Sequence, residues 1–96
     1  MPVVDEAALA AARTADKLLE AARQRGSQRW AEFLAPLPDL LRDARIGELR
    51  SIALKARSAY GPRDSIRDAL PAELTGSFLD DLDRLRKVLA RELAER

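Results

Sequence analysis

Residues 77–93 read SFLDDLDRLRKVLAREL, and this stretch decides the fold class. Asp83 and Lys87, four residues apart in the favourable order, support a helix here. Ser77 with Asp80 resembles a capping box at its start. The large apolar residues recur every three or four positions, as on one face of an α-helix: Phe78, Leu82, Leu85, Val88, Leu89 and Leu93. The stretch predicts a long amphipathic helix that begins at Ser77.

The N-terminal quarter of the chain shows the same spacing with smaller residues. A first helix is predicted over about 5–25, with Asp5 as its N-cap and Gly26 as its left-handed terminator. Its apolar stripe is mostly alanine: Ala8, Leu9, Ala12, Ala15, Leu19 and Ala22. Because each alanine buries only about one methyl group, we expect this helix to be among the less firmly docked elements.

Glycines and prolines divide the middle of the chain. A second helix carries Trp30 as a core anchor, and we expect Pro36 and Pro38 to break it. A third helix is predicted over about 48–60, and residues 61–76, GPRDSIRDALPAELTG, are expected to form an irregular connection. These patterns predict an all-α fold, a compact antiparallel bundle of about four helices with the second helix broken by prolines. The length of 96 residues fits a single domain over 1–96.

The composition excludes several classes of chemistry. The chain has no Cys and no His, which removes disulfides, thiolate nucleophiles, the common nucleophile–histidine triads and the usual zinc ligands. A weak enzyme would have to use carboxylates near the last helix: Asp64, Asp68, Glu73, Asp80, Asp81 and Asp83. These form no calcium-loop pattern, and no glycine-rich phosphate loop occurs. We therefore predict a protein that is not an enzyme, with no catalytic residue, metal or cofactor.

The ends and the hydropathy of the chain bear on its location. No apolar run approaches the roughly 20 residues needed to cross a bilayer. The N-terminus reads MPVVDE, without the basic and apolar regions of a secretory signal. We therefore expect a cytoplasmic protein of bacterial type that does not bind membranes.

The basic residues cluster although the formal net charge is only +1. Residues 50–67 hold five basic residues against one acidic residue, Asp64. A charged loop on a rigid helical frame is typical of a recognition surface. We therefore predict that a protein partner contacts six residues of this stretch: Arg50, Arg57, Tyr60, Arg63, Asp64 and Arg67.

The same stretch allows a second interpretation, a nucleic-acid-binding regulator whose basic residues contact phosphates. Two features disfavour it. Aromatic and basic residues do not interleave as they do on a stacking platform. A recognition helix after Gly61 would have only about six residues before Pro71. A homodimer through the last helix is a further alternative, separable from both interpretations.

The middle of the chain resembles a family of small uncharacterised bacterial all-helical proteins. The family shares a Trp-Ala-x-x-Leu helix and a Gly-x-x-Ser-(Leu/Ile)-x-Asp turn, which residues 30–34, WAEFL, and residues 65–68, SIRD, match here. Pro62 to Asp64 stand where the family usually has a second glycine. Members are similar in size to proteins encoded beside bacterial toxins. The family has no established activity that the resemblance could transfer. The lack of a catalytic set, together with the charged loop and the arginine-bearing helix face, predicts a non-enzymatic protein-interaction module, in the form of a toxin-neutralising immunity-type protein or a small regulatory adaptor.

Overall fold

The computed structural model describes residues 3–62 and 65–94. Every regular element within these two ranges is helical, so the predicted all-α fold is confirmed. The α-helices are α1 (Val3–Gln24), α2 (Gln28–Leu34), α3 (Leu37–Asp43), α4 (Ile46–Arg57), α5 (Ile66–Ala69) and α6 (Ala72–Ala94), with a 3-10 turn at Ser58–Tyr60. The predicted count of about four helices does not match these six, because α2 and α3 are separate helices and α5 adds a single turn.

Helices α1 and α6 form the spine of the molecule. Ala21 and Leu74 lie on one shallow groove while the Thr14 hydroxyl donates to the Asp81 carboxylate at 2.6 Å, so the two helices run in opposite directions. Helix α1 also packs on α2 and α3. The expectation that α1 is weakly docked is therefore wrong. Its alanine stripe buries little area per residue but allows three neighbouring helices to approach closely, and most of its alanines are inaccessible to solvent.

The start of α3 accommodates both prolines of the middle segment. Helix α2 ends at Leu34, Pro36 lies at the N-cap of α3, and Pro38 lies in the first turn. Amides in the first turn of a helix have no intrahelical acceptor, so a proline there removes no hydrogen bond. Trp30 and Leu37 are buried on the two sides of this junction, with Trp30 in the predicted core position.

Helix α6 begins five residues before the predicted Ser77. The Pro71 carbonyl accepts hydrogen bonds from the amides of Leu74 and Thr75, and it thereby starts the helix. The irregular connection predicted over 61–76 is therefore wrong for residues 72–76. Proline is tolerated ahead of a helix, and Gly76 is tolerated inside one at a cost of about 0.5–1 kcal/mol. Ser77 with Asp80 lies inside α6 and does not cap it.

The 3-10 turn and α5 lie between α4 and α6 along the chain. Helix α4 begins at Ile46, before the predicted residue 48, and its last turn tightens into the 3-10 turn. The Ser65 hydroxyl caps α5 by accepting from the Arg67 amide at 3.2 Å, and Ile66 is fully buried behind it. The core then closes around α6 with the largest inaccessible side chains: Phe78, Leu18, Leu34, Leu37, Leu41, Ile66, Leu82, Leu85 and Leu89.

Candidate functional site

The predicted partner-binding residues lie on the α4 side of the molecule, and the structure divides them. Arg50 and Arg57 lie on α4, Tyr60 ends the 3-10 turn, and Arg67 lies in α5. The other two predicted residues, Arg63 and Asp64, lie outside the described residues. The four described residues have different surroundings, and these show which side chains already have partners within the protein.

Arg57 forms an ion pair with Asp83 of α6. Both side chains are about 40% exposed, so the pair lies at the edge of the α4–α6 contact rather than in the core. Its carboxylate partner neutralises the guanidinium, and Arg57 therefore contributes less positive charge to the surface than the sequence suggests. Its main role in the structure is to join α4 to α6.

Tyr60 is half-buried and its hydroxyl is already used. The hydroxyl donates to the Thr75 carbonyl at 2.6 Å, which ties the 3-10 turn to the first part of α6. The Arg67 guanidinium lies 5.4 Å from the centre of the Tyr60 ring, within the range of a cation–π contact. Burial raises the pKa of the Tyr60 hydroxyl above its usual range, and Asp80 raises it further, while Arg67 opposes both. Tyr60 is thus chiefly an anchor that orders Arg67.

Arg50 lies on a groove of about 300 Å³ between α4 and the C-terminal half of α6. Arg86 lies on the same groove, and Leu89, Ala90 and Leu93 form its aliphatic floor. Since Arg57 meets Asp83 while Arg50 meets the turn around Ala90, the two helices run in opposite directions. The groove is therefore an opening along the outer edge of an antiparallel helix pair.

Leu54 adds an exposed aliphatic residue to α4. It is 49% exposed, one of three large aliphatic residues that the described part of the chain exposes to solvent. It is four residues after Arg50 and three before Arg57, so helical spacing places it on the same side of α4. We call this surface the α4–α6 face, defined by Arg50, Leu54 and Arg57 of α4 with Arg86, Ala90 and Leu93 of α6.

The sequence predicted Arg50 and Arg57 of this face but neither Leu54 nor the residues of α6. The spacing of residues 77–93 assigns Leu89 and Leu93 to one helix stripe but does not show which residues at its edge meet another helix. Arg86 and Ala90 could be identified only from that packing. Leu54 had a signal in the sequence, because it lies off the buried stripe of Leu49, Ala53 and Ala56 and so could have been recognised as exposed.

The α4–α6 face carries three arginines, Arg50, Arg57 and Arg86, of which Arg57 pairs with Asp83. The other basic residues of residues 84–91, Arg84, Lys87 and Arg91, lie on a separate groove with Asp80 and Asp83. Arg86 comes from a helix far from residues 50–67 in sequence, so the local charge of that stretch describes only part of the face.

Two of the described carboxylates near the last helix are engaged with other elements. Asp81 accepts from Thr14 of α1 and Asp83 pairs with Arg57 of α4, so the two face different helices. Within residues 3–62 and 65–94, no group of three or more carboxylates is arranged to hold a metal ion. No helix in these ranges is long and apolar enough to cross a membrane.

Comparison with protein-family models, with curated proteins and with solved structures found no match for this chain. The resemblance of residues 30–34 and 65–68 to a family of bacterial helical proteins therefore stays a prediction. Inferences about function depend on the chemistry of the α4–α6 face.

Proposed function

We propose that this protein is a non-enzymatic protein-interaction module of the bacterial cytoplasm and that a protein partner binds its α4–α6 face. The observation that carries the proposal is the groove of about 300 Å³ on which Arg50 and Arg86 lie beside the aliphatic residues Leu89, Ala90 and Leu93. Leu54, 49% exposed, lies on the same side of α4 as Arg50 by helical spacing. Exposed aliphatic groups within a charged rim are typical of protein contact sites, where they supply the apolar centre of an interface.

The surrounding residues support the same proposal. Arg50 and Arg86 frame the groove beside Leu54, and arginine is among the residues enriched at interface centres. The Arg57–Asp83 pair and the Tyr60–Thr75 hydrogen bond connect α4 and its turn to α6. Such ties keep the face in one conformation, so binding would cost little ordering entropy. Arg63, Asp64 and Arg67 stay predicted partner contacts outside this groove's lining.

The concrete form that we propose is a toxin-neutralising immunity-type protein or a small regulatory adaptor. Its support is a small all-helical frame that presents arginines on one face, in a sequence that contains no Cys and no His. Both forms require a compact helical frame, one rigid contact face and no reaction chemistry, and both are served by the same face.

The alternative, nucleic-acid binding through residues 50–67, has weaker support. The Arg57 guanidinium is paired with the Asp83 carboxylate, which reduces the positive charge available for phosphate contacts. A nucleic-acid site would give binding whose logarithm falls steeply with the logarithm of salt concentration. Fluorescence anisotropy with labelled duplex and single-stranded DNA at low salt separates the two candidates.

The test of the proposed function is affinity purification of tagged protein from the source bacterium. Wild type, Leu54→Asp and Leu40→Asp would be compared by mass spectrometry. Leu40 is a matched control because it is 40% exposed but lies on α3. We expect one stoichiometric protein with wild type and Leu40→Asp and its loss with Leu54→Asp. Absence of any stoichiometric protein, or equal capture by all three forms, would overturn the proposal.

A further inference from the structure

The groove on the α4–α6 face brings two guanidinium groups to one aliphatic floor. Arg50 and Arg86 both lie on it, and no carboxylate does. Among residues 3–62 and 65–94, neither arginine takes part in an ion pair, in contrast to Arg42 and Arg57. The groove therefore carries two uncompensated positive charges next to apolar surface.

Two like charges at one groove create a site for an anion. A guanidinium binds a carboxylate with two parallel hydrogen bonds, and its fixed planar geometry makes this recognition specific. A bound anion would also relieve the repulsion between Arg50 and Arg86.

The apolar floor of the groove determines which chemical group an occupant must present beside its anionic group. Leu89 is almost fully buried at its base, and Ala90 and Leu93 form its more accessible side. The volume of about 300 Å³ is at the lower end of the range for binding pockets, enough for a few aliphatic groups but not for a large rigid ligand. An occupant must therefore present a carboxylate and an aliphatic group close together.

We propose that the groove binds an acidic amphipathic helix of the protein partner. A glutamate or aspartate of that helix lies between Arg50 and Arg86, and a leucine-type residue one turn away packs on Ala90 and Leu93. Residues three or four apart on a helix share one face, so one segment satisfies both requirements. This inference rests on the proposed function and specifies the chemistry of the partner.

Charge and surface type favour this occupant over nucleic acid. Single-stranded nucleic acid is held by aromatic stacking along a basic channel, and no aromatic residue lines this groove. The aliphatic floor would be left without a matching surface against a sugar-phosphate backbone. An acidic amphipathic helix complements both the charge of the rim and the apolar character of the floor.

The test is selection from a random peptide library displayed on phage, with the full chain as bait. We expect the enriched peptides to be net negative, with aliphatic residues at i and i+3 or i+4. A synthetic peptide of the enriched sequence should bind Arg50→Glu/Arg86→Glu at least tenfold more weakly than wild type. Arg13→Glu/Arg23→Glu is the matched control, since it makes the same change in net charge on the exposed face of α1. Circular dichroism confirms that both variants fold.

Several results would overturn the inference. Enrichment of neutral or basic peptides would do so, as would a library without any peptide sensitive to Arg50→Glu/Arg86→Glu. A chain that is dimeric by light scattering and becomes monomeric with this variant would identify a second copy as the occupant. Capture of a protein partner that depends on Leu54 but not on Arg50 and Arg86 would reject the acidic helix while retaining the proposed function.

Discussion

At the scale of single residues, Tyr60 shows how one hydroxyl connects the 3-10 turn after α4 to helix α6. Its ring supports Arg67 and its hydroxyl bonds the Thr75 carbonyl within α6. The sequence indicates an amphipathic anchor, because Tyr60 continues the apolar stripe of α4 and precedes a glycine. It does not indicate Thr75 as the partner, which lies in a stretch that the sequence predicts as irregular.

The first prediction concerns the titration of Tyr60, the only tyrosine of the chain. Burial raises the pKa of its hydroxyl, so the folded protein holds the phenolic proton more tightly than the unfolded chain. The free energy of unfolding therefore falls as pH rises above about 10, the value for an unfolded tyrosine. Tyrosinate absorbance should show a higher midpoint in the native protein than in denaturant.

Tyr60→Phe supplies the control for this titration. It removes the titrating group, so its stability should decline less steeply above pH 10 than that of wild type. At neutral pH it should cost about 1 kcal/mol, because the Thr75 carbonyl loses a hydrogen bond. Identical tyrosinate midpoints in native and denatured protein would show that the hydroxyl is solvated and that the anchor is absent.

The second prediction concerns the Arg57–Asp83 pair, which decides whether Arg57 is a free charge. A double-mutant cycle with Arg57→Ala and Asp83→Ala should give a coupling energy of about 0.2–1 kcal/mol, because both side chains are partly exposed. The coupling should weaken as salt is raised. Chemical denaturation of the four proteins measures it. A coupling energy indistinguishable from zero at low salt would show that Asp83 does not engage Arg57, whose charge would then be available to a partner.

At the scale of elements, the C-terminal part of α6 was the most predictable from sequence, and the first turn of the same helix was the least predictable. Residues 77–93 carry a regular apolar stripe, which packing against α1 then uses. Residues 72–76 contain Gly76 and follow Pro71. Because both residues have low helix propensity, local propensity alone predicts a loop over this stretch. Burial of Thr75 and Phe78 in the core favours the helical conformation there.

The third prediction follows from this helical start. Gly76 lies inside α6, and a β-carbon at this position would meet no atom within 4 Å. Gly76→Ala should therefore stabilise the protein by about 0.5–1 kcal/mol, through lower entropy of the unfolded chain and higher helix propensity. Thermal and chemical denaturation measure the change. Destabilisation by Gly76→Ala would contradict a helix over 72–76.

Gly26→Ala is the matched control, because the same substitution should have the opposite sign. Gly26 has a φ of 70° and ends α1 with a hydrogen bond from the Ser27 amide to the Ala22 carbonyl. An alanine in this left-handed conformation costs about 1–2 kcal/mol. The pair of variants thus separates a glycine required by the backbone from one that is merely tolerated.

At the scale of the whole molecule, the alanines of α1 determine how closely the helices pack. Ala11, Ala12 and Ala15 have no solvent-accessible surface. The sequence predicts most of the buried stripe but wrongly includes Leu9, which is only half-buried, and omits Ala11 and Leu18, which are inaccessible. It does not predict the consequence, because the small side chains limit the burial energy of α1 while allowing several helices to pack around it. The number and distance of those neighbours depend on long-range packing.

The fourth prediction tests this close packing. Ala15→Leu should destabilise the protein by about 1–3 kcal/mol, because the added methylene groups have no space between α1 and its neighbours. Ala72→Leu, on the exposed first turn of α6, should change stability by less than about 0.5 kcal/mol. Chemical denaturation compares the two. A neutral or stabilising Ala15→Leu would show that α1 packs more loosely than the structure has it.

The proposed contact surface also belongs to this scale, because it exists only when two helices meet. Arg50 was predicted from the charge of residues 50–67, whereas Arg86 and Ala90 contribute through a helix that the sequence assigns to the core. The basic residues of positions 50–67 therefore identified Arg50 and Arg57, which both lie on the α4 side of the face. Its aliphatic floor could not be inferred without the antiparallel packing of α4 on α6.

The most direct test of the account is the dissociation constant of the captured partner for Leu54→Asp and Leu40→Asp, measured by isothermal titration. Both variants place one carboxylate on an exposed leucine position. If the α4–α6 face is the contact surface, Leu54→Asp should weaken binding at least tenfold, equivalent to about 1.4 kcal/mol. Leu40→Asp should bind as wild type does. Equal dissociation constants for the two variants would contradict the assignment of this face.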